Sequence, residues 1–114
     1  MPYINTTTTK TISKEQQTAL TQEFGKAIEL IPGKSEEWLM LSFRDEARMA
    51  FRGDSMRDCA MLEVEIFGSA TDASLGRLTK ALCETVNRVL GIDTDRVYVK
   101  YEKIDTWGYD GSNF

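Results

Sequence analysis

The stretch CAMLEVEIF, residues 59–67, decides the fold. Leu62, Val64 and Ile66 fall on one face of an extended chain, and Met61, Glu63, Glu65 and Phe67 on the other, which is the period of two of a strand with one face covered. Just downstream, Thr71 or Asp72 supplies a helix cap. Leu75, Leu78, Leu82, Val86 and Val89 then recur at helical spacing until Gly91, a residue suited to the left-handed turn that ends a helix. Residues 97–101, VYVKY, return to strand composition, so the second half of the chain reads β-α-β.

The first half follows the same plan. Residues 3–9 are β-branched and aromatic and predict a strand. Ser13 and Gln16 have the spacing of a capping box, and Leu20, Phe24, Ala27, Ile28 and Ile31 form one helical stripe that Pro32-Gly33 stops. Residues 38–43, WLMLSF, are almost continuously apolar and read as a strand covered on both faces, with a charged loop after it. The chain is thus expected to be one α/β domain, residues 1–114, built as an internal repeat of two β-α-β units. Parallel strands joined by a helix cross over right-handed, so a four-stranded mixed sheet should carry both helices on one face.

Composition excludes several classes of function. The net charge is −4 and no run of Lys or Arg forms a stripe, so neither a nucleic acid nor an anionic membrane is an expected partner. No apolar stretch has the length of a transmembrane helix, and the N-terminus lacks the features of a signal peptide, so the expected address is cytoplasmic. Cys59 and Cys83 are too few for a disulfide scaffold and, without any histidine, cannot build a common zinc site. No metal or cofactor is expected, and both cysteines read as small buried hydrophobes.

The absence of histidine also limits acid–base chemistry. A base working near pH 7 must be a shifted carboxylate or lysine, a thiolate, a tyrosine or the chain terminus. Pro2 follows Met1, and a small residue there permits removal of the initiator, which leaves a secondary amine as the new terminus. An α-amino group titrates at about 7.7–8.0, already close to the working range.

Two architectures share the element order. One is the ferredoxin-like split β-α-β; in the other, the two units lie side by side and three subunits pack their sheets around an axis. A first strand starting at Pro2 favours the second, because it holds the terminal amine at a strand end. Further residues carry a resemblance: Met1-Pro2, Gly33-Lys34, Met49-Ala50-Phe51 with Gly53, Cys59-Ala60, Phe67-Gly68, Asp95-Arg96-Val97-Tyr98-Val99, and Trp107-Gly108-Tyr109 through Ser112 and Phe114. In this ordered set the chain resembles the macrophage migration inhibitory factor family, which includes D-dopachrome tautomerase, within the tautomerase superfamily.

The resemblance implies a homotrimer and a keto-enol tautomerase, an isomerase acting on phenylpyruvate-like α-keto acids with the Pro2 amine as general base and no cofactor. It implies that Lys34 pairs with the substrate carboxylate and that Tyr98 reaches the pocket of a neighbouring subunit. Lys100 stands where the family usually has asparagine. There it either adds a second cation at the pocket rim, tightening carboxylate binding and lowering the Pro2 pKa, or points to solvent. Phe67, Trp38 and Tyr109 replace the usual isoleucine, tyrosine and tryptophan. With Tyr3, Trp107 and Phe114 they are expected to form an aromatic wall for a phenyl ring, packing being the plainer role for Trp107 and Phe114. Leu62 replaces the second cysteine of the Cys-x-x-Cys of some relatives, which argues against dithiol chemistry. The alternatives are a cytokine-like signalling or interaction protein that keeps the pocket as a relic, and a ferredoxin-like ligand-binding module.

Overall fold

The computed structural model describes residues 1–114. Its strands are β1 (Pro2–Thr8), β2 (Met40–Arg44), β3 (Ala60–Phe67) and β4 (Val97–Ile104), and its helices are α1 (Lys14–Ala27) and α2 (Asp72–Leu90). The sheet order is β2-β1-β3-β4. β1 pairs in parallel with β2, β3 in parallel with β4, and β1 with β3 antiparallel. Each β-α-β unit therefore keeps its own two strands adjacent, which selects the side-by-side architecture over the ferredoxin-like interleaving.

Period-two alternation sets what each face carries. Ile4, Leu62, Val64 and Ile66 are at most 1% exposed and join Leu20, Phe24, Ile28, Ile31, Leu75, Leu78, Leu82 and Val86 in one core cluster, so both helices lie on one face. The opposite face has no covering element. It presents Tyr3, Asn5, Ser42, Glu63, Glu65, Tyr98 and Lys100.

Three of the four helix ends form for the local reasons read from the sequence; α1 itself ends earlier than read, at Ala27, and a 3-10 turn over Ile28–Leu30 leads to Pro32-Gly33. Ser13 Oγ accepts from Gln16 N at 3.1 Å, and the Gln16 side chain accepts from Ser13 N at 2.9 Å. Thr71, not Asp72, caps α2, and Gly91 closes it at φ 71°.

Two expectations need correction. Residues 38–43 are not one strand covered on both faces: Trp38 lies in a short 3-10 turn, and β2 starts only at Met40, as a partly exposed edge strand. Its apolar run instead serves two surfaces, Leu41 and Phe43 packing on the core while Met40 stays 67% exposed. Cys59 is buried as expected, but Cys83 is only half-buried. Burial and the Glu84 carboxylate push its thiol above the ordinary range, which leaves it a poor nucleophile. Beyond the two β-α-β units, the tail forms a hairpin, β5 (Gly108–Tyr109) and β6 (Ser112–Asn113), turned at Asp110 and Gly111 with φ 50° and 84°. Two successive positive φ values mark a primed hairpin turn, for which Asp-Gly is a favoured pair.

Candidate active site

The start of β1 is held between two segments far away in sequence. Pro2 is buried opposite Ile66, and Phe67 N donates to Met1 O at 2.9 Å. Proline suits this first strand position because no ladder donor is lost there. Lys34 is delivered by a turn: Lys34 N donates to Ile31 O at 3.1 Å across Pro32-Gly33, with Gly33 at φ 83°. Proline second and a positive-φ glycine third define a type II turn. Beyond it, the half-buried Lys34 Nζ donates to Phe67 O at 2.8 Å. One of its three N–H groups is thus anchored, which leaves two for a ligand.

The terminal amine responds to this setting. Burial and then the Lys34 charge lower the pKa of the Met1 amine from its ordinary 8.0, because both penalise the protonated form.

A cleft of about 770 Å³ opens beside this terminus, lined among others by Met1, Pro2, Tyr3, Trp38, Trp107 and Tyr109. Trp38 meets Tyr109 edge-on at 5.2 Å, and Phe114 bridges Tyr109 and Phe67 at 6.4 and 5.8 Å. The C-terminal hairpin carries Tyr109 and Phe114 to the terminus, and the turn that ends before β2 carries Trp38. Phe67 joins this aromatic group without lining the cleft, and Trp107, read as a packing residue, lines the cleft.

A hydrogen-bonded row fixes Tyr3. Ser42 Oγ donates to Asn5 Oδ1 at 2.6 Å, so its single proton is used and the Tyr3 hydroxyl, 2.6 Å from Ser42 Oγ, is the donor there. Asn5 Nδ2 donates to Glu63 Oε1 at 3.0 Å, and Lys100 Nζ lies 3.3 Å from Glu63 Oε2. These partners, Asn5 first and Lys100 second, hold the Glu63 carboxyl below the usual range.

Within one chain the structure brings Pro2, Lys34 and the aromatic wall together, but not Tyr98 or Lys100. Tyr98 is 58% exposed on the open face and packs edge-on against Phe51 at 4.8 Å, while Lys100 pairs with Glu63. Glu37, Met40 and Glu65 also line the cleft and went unread in the sequence. Glu65 had a signal, since it lies on the same strand face as Phe67. Glu37 and Met40 had none, because the run holding Met40 reads as buried.

Residues 1–114 match the profile of the family described as Macrophage migration inhibitory factor (MIF). A macrophage migration inhibitory factor of Xenopus laevis is 30% identical over 97 residues, covering 83% of this chain and 80% of the relative. The crystal structure of Leishmania major MIF2 superposes with a TM-score of 0.94 at 24% identity, over 100% of this chain and 97% of that one. A macrophage migration inhibitory factor homologue from Prochlorococcus marinus does so with a TM-score of 0.88 at 26% identity, over 98% of each chain.

Proposed function

The chain belongs to the macrophage migration inhibitory factor family, and from that premise we propose that it is a keto-enol tautomerase of phenylpyruvate-like α-keto acids, with the Pro2 amine as general base. Removal of Met1 makes the Pro2 nitrogen a secondary amine in the same partly buried, lysine-flanked position. There burial and the Lys34 charge both penalise the protonated form, which favours the neutral amine a base requires. It takes a proton from the carbon beside the keto group, and that proton returns to the oxygen as the enol; the reverse path gives the ketone.

The observation that carries this reading is the pair of contacts at the terminus, Met1 O to Phe67 N at 2.9 Å and Lys34 Nζ to Phe67 O at 2.8 Å. Loss of Met1 frees the Phe67 N–H beside the new amine. A substrate oxygen takes the place of the Met1 carbonyl, the Lys34 ammonium pairs with the substrate carboxylate, and both stabilise the developing enolate. Trp38, Tyr109 and Tyr3 receive the phenyl ring, with Phe67 behind them in the same aromatic group. Tyr98 and Lys100 complete the pocket from a neighbouring subunit of a homotrimer. The uncovered sheet face supports assembly, since Met40 and Tyr98 remain 67% and 58% exposed in a single chain.

The test compares Met1-processed protein with protein in which Met1 is retained, and with Pro2→Gly, in an absorbance assay of phenylpyruvate tautomerisation. Retention turns the base into an amide and caps Phe67 N–H, so kcat/KM should fall by about 10²-fold or more. Equal rates in processed and retained forms would refute Pro2 as the base. Light scattering that gives a monomer at micromolar concentration would refute the shared pocket.

A further inference from the structure

We propose that Gly25, in the last turn of α1, is a positioning residue of the candidate site: having no Cβ, it lets the segment Ser35–Trp38 settle against the helix and so sets where the Trp38 ring stands in the cleft. The inference rests on the tautomerase reading and deepens it, because it names what fixes one wall of the ring subsite.

Glycine is a poor helix former, yet α1 keeps one at a buried position. Packing gives the reason. A Cβ at Gly25 would meet the Glu36 side chain, lying 3.0 Å from its Cβ and against its Oε2. The carboxylate end can rotate away, since Glu36 is exposed and enters no ion pair. Its Cβ cannot, because that atom moves only with the backbone of the turn. Gly76, inside α2, makes the contrast: a Cβ there meets nothing within 4 Å.

Ordinary carbon–carbon contact is about 3.5–4.0 Å, so a methyl at position 25 requires a shift of about 0.5–1 Å between helix and turn. The turn is the softer of the two. Leu20, Phe24 and Ala27 tie α1 into the core, whereas Glu36, Glu37 and Trp38 are all exposed. Both ends of the segment are held, Lys34 by its bonds to Ile31 O and Phe67 O and Leu39 by packing on the core. The displacement therefore falls on residues 35–38. Trp38 lines the cleft and meets Tyr109 edge-on at 5.2 Å, so that contact opens while Lys34 stays at the terminus.

The experiment compares two keto acids on processed protein: phenylpyruvate, by absorbance, and 2-oxobutanoate, which keeps the carboxylate and ketone but has no ring, by exchange of its C3 protons in deuterium oxide. Gly25→Ala should lower kcat/KM for phenylpyruvate by about tenfold and the exchange rate of 2-oxobutanoate by less than about twofold, within what a displacement of this size costs when it reaches one substrate group. Gly76→Ala should change neither. Equal losses on both substrates, or no loss on phenylpyruvate, would overturn the proposal.

A double-mutant cycle isolates the contact and covers a single variant that fails to fold. Glu36→Gly removes the atoms that the new methyl meets, so in that background Gly25→Ala should cost less than about twofold with phenylpyruvate. A loss of the same size in both backgrounds would refute the role assigned to Gly25. The place of Trp38 is also read without chemistry in Trp107→Phe, where it is the only tryptophan left. There Gly25→Ala should raise the acrylamide quenching constant of its emission, and Gly76→Ala should leave it unchanged. If quenching responds in this way while no keto acid is turned over, the tautomerase reading falls and the placing of Trp38 by Gly25 stands. Turnover and quenching that both ignore Gly25→Ala give the reverse.

Discussion

Replacing Arg96 by methionine should cost about 3 kcal/mol of stability. Arg96 is 2% exposed, yet no carboxylate pairs with it. Its guanidinium donates instead to four backbone carbonyls of the loop before β3: Phe51 O at 2.8 Å, Asp54 O at 3.1 Å, Arg57 O at 2.8 Å and Asp58 O at 3.1 Å. Methionine keeps much of the apolar stem and removes every donor. The four carbonyls do not suffer equally. Phe51 and Asp54 also exchange backbone hydrogen bonds, Phe51 N to Asp54 O at 3.1 Å and Asp54 N to Phe51 O at 3.0 Å, so those two acceptors keep a partner. The carbonyls of Arg57 and Asp58 lose theirs. An unpaired acceptor costs about 1–3 kcal/mol when buried, and because Arg57 is exposed and Asp58 half-buried, water recovers part of that sum. Per-residue unfolding entropies convert about 3 kcal/mol in a chain of this size to about 10–15 °C in Tm. Urea unfolding at fixed protein concentration, followed by tryptophan fluorescence, measures the change, and Arg96→Lys should restore less than half because an ammonium lacks the planar fork. A loss under about 1 kcal/mol would show that the loop holds itself, and would refute the assignment of Arg96 as its anchor.

Other outcomes follow from the same geometry. In protein that retains Met1, Lys34→Ala should raise the pKa of the amine, read from the pH dependence of its acylation, only part of the way toward 8.0, because burial is the larger cause of the depression and persists; an unmoved pKa would remove Lys34 from the account. Glu63→Gln should cost less than about 1 kcal/mol at pH 7, since solvent screens the Lys100 pair. Because the folded Glu63 pKa is depressed, its contribution exists above the unfolded value of about 4.3 and is lost as pH falls through the folded one, so variant and wild-type stability curves should converge in acid. Gly91→Ala should destabilise by about 1 kcal/mol and Gly91→Asn by less: the φ of 71° is the cause, as an added Cβ meets nothing within 4 Å.

Much of the fold was legible because it rests on local rules. The alternation at 60–67, the capping box at Ser13 and the glycine at 91 each need only a few neighbouring residues to be read, and each is found where expected. The misreading of 38–43 has a physical cause. Continuous apolarity means a strand buried on both faces only if both faces are covered, and in one chain the sheet edge leaves Met40 open. The tail hairpin was readable in Asp110-Gly111 but lay outside the β-α-β repeat.

For the candidate site, the sequence alone pointed to the chain terminus through the lack of histidine and a proline after Met1, while Lys34 and the aromatic residues were named by the family resemblance. The tertiary structure decided which of them meet. Register sets Tyr3 beside Ser42, 39 residues away, and Asn5 beside Glu63, 58 residues away, while the turn at 32–33 sends Lys34 to the Phe67 carbonyl. It also set Lys100 beside Glu63, its register partner on β3. Spacing along a chain fixes the face on which a side chain emerges, because that depends on local backbone geometry. Its partner depends on which strands pair and in what register, and that is settled by burial of the whole core.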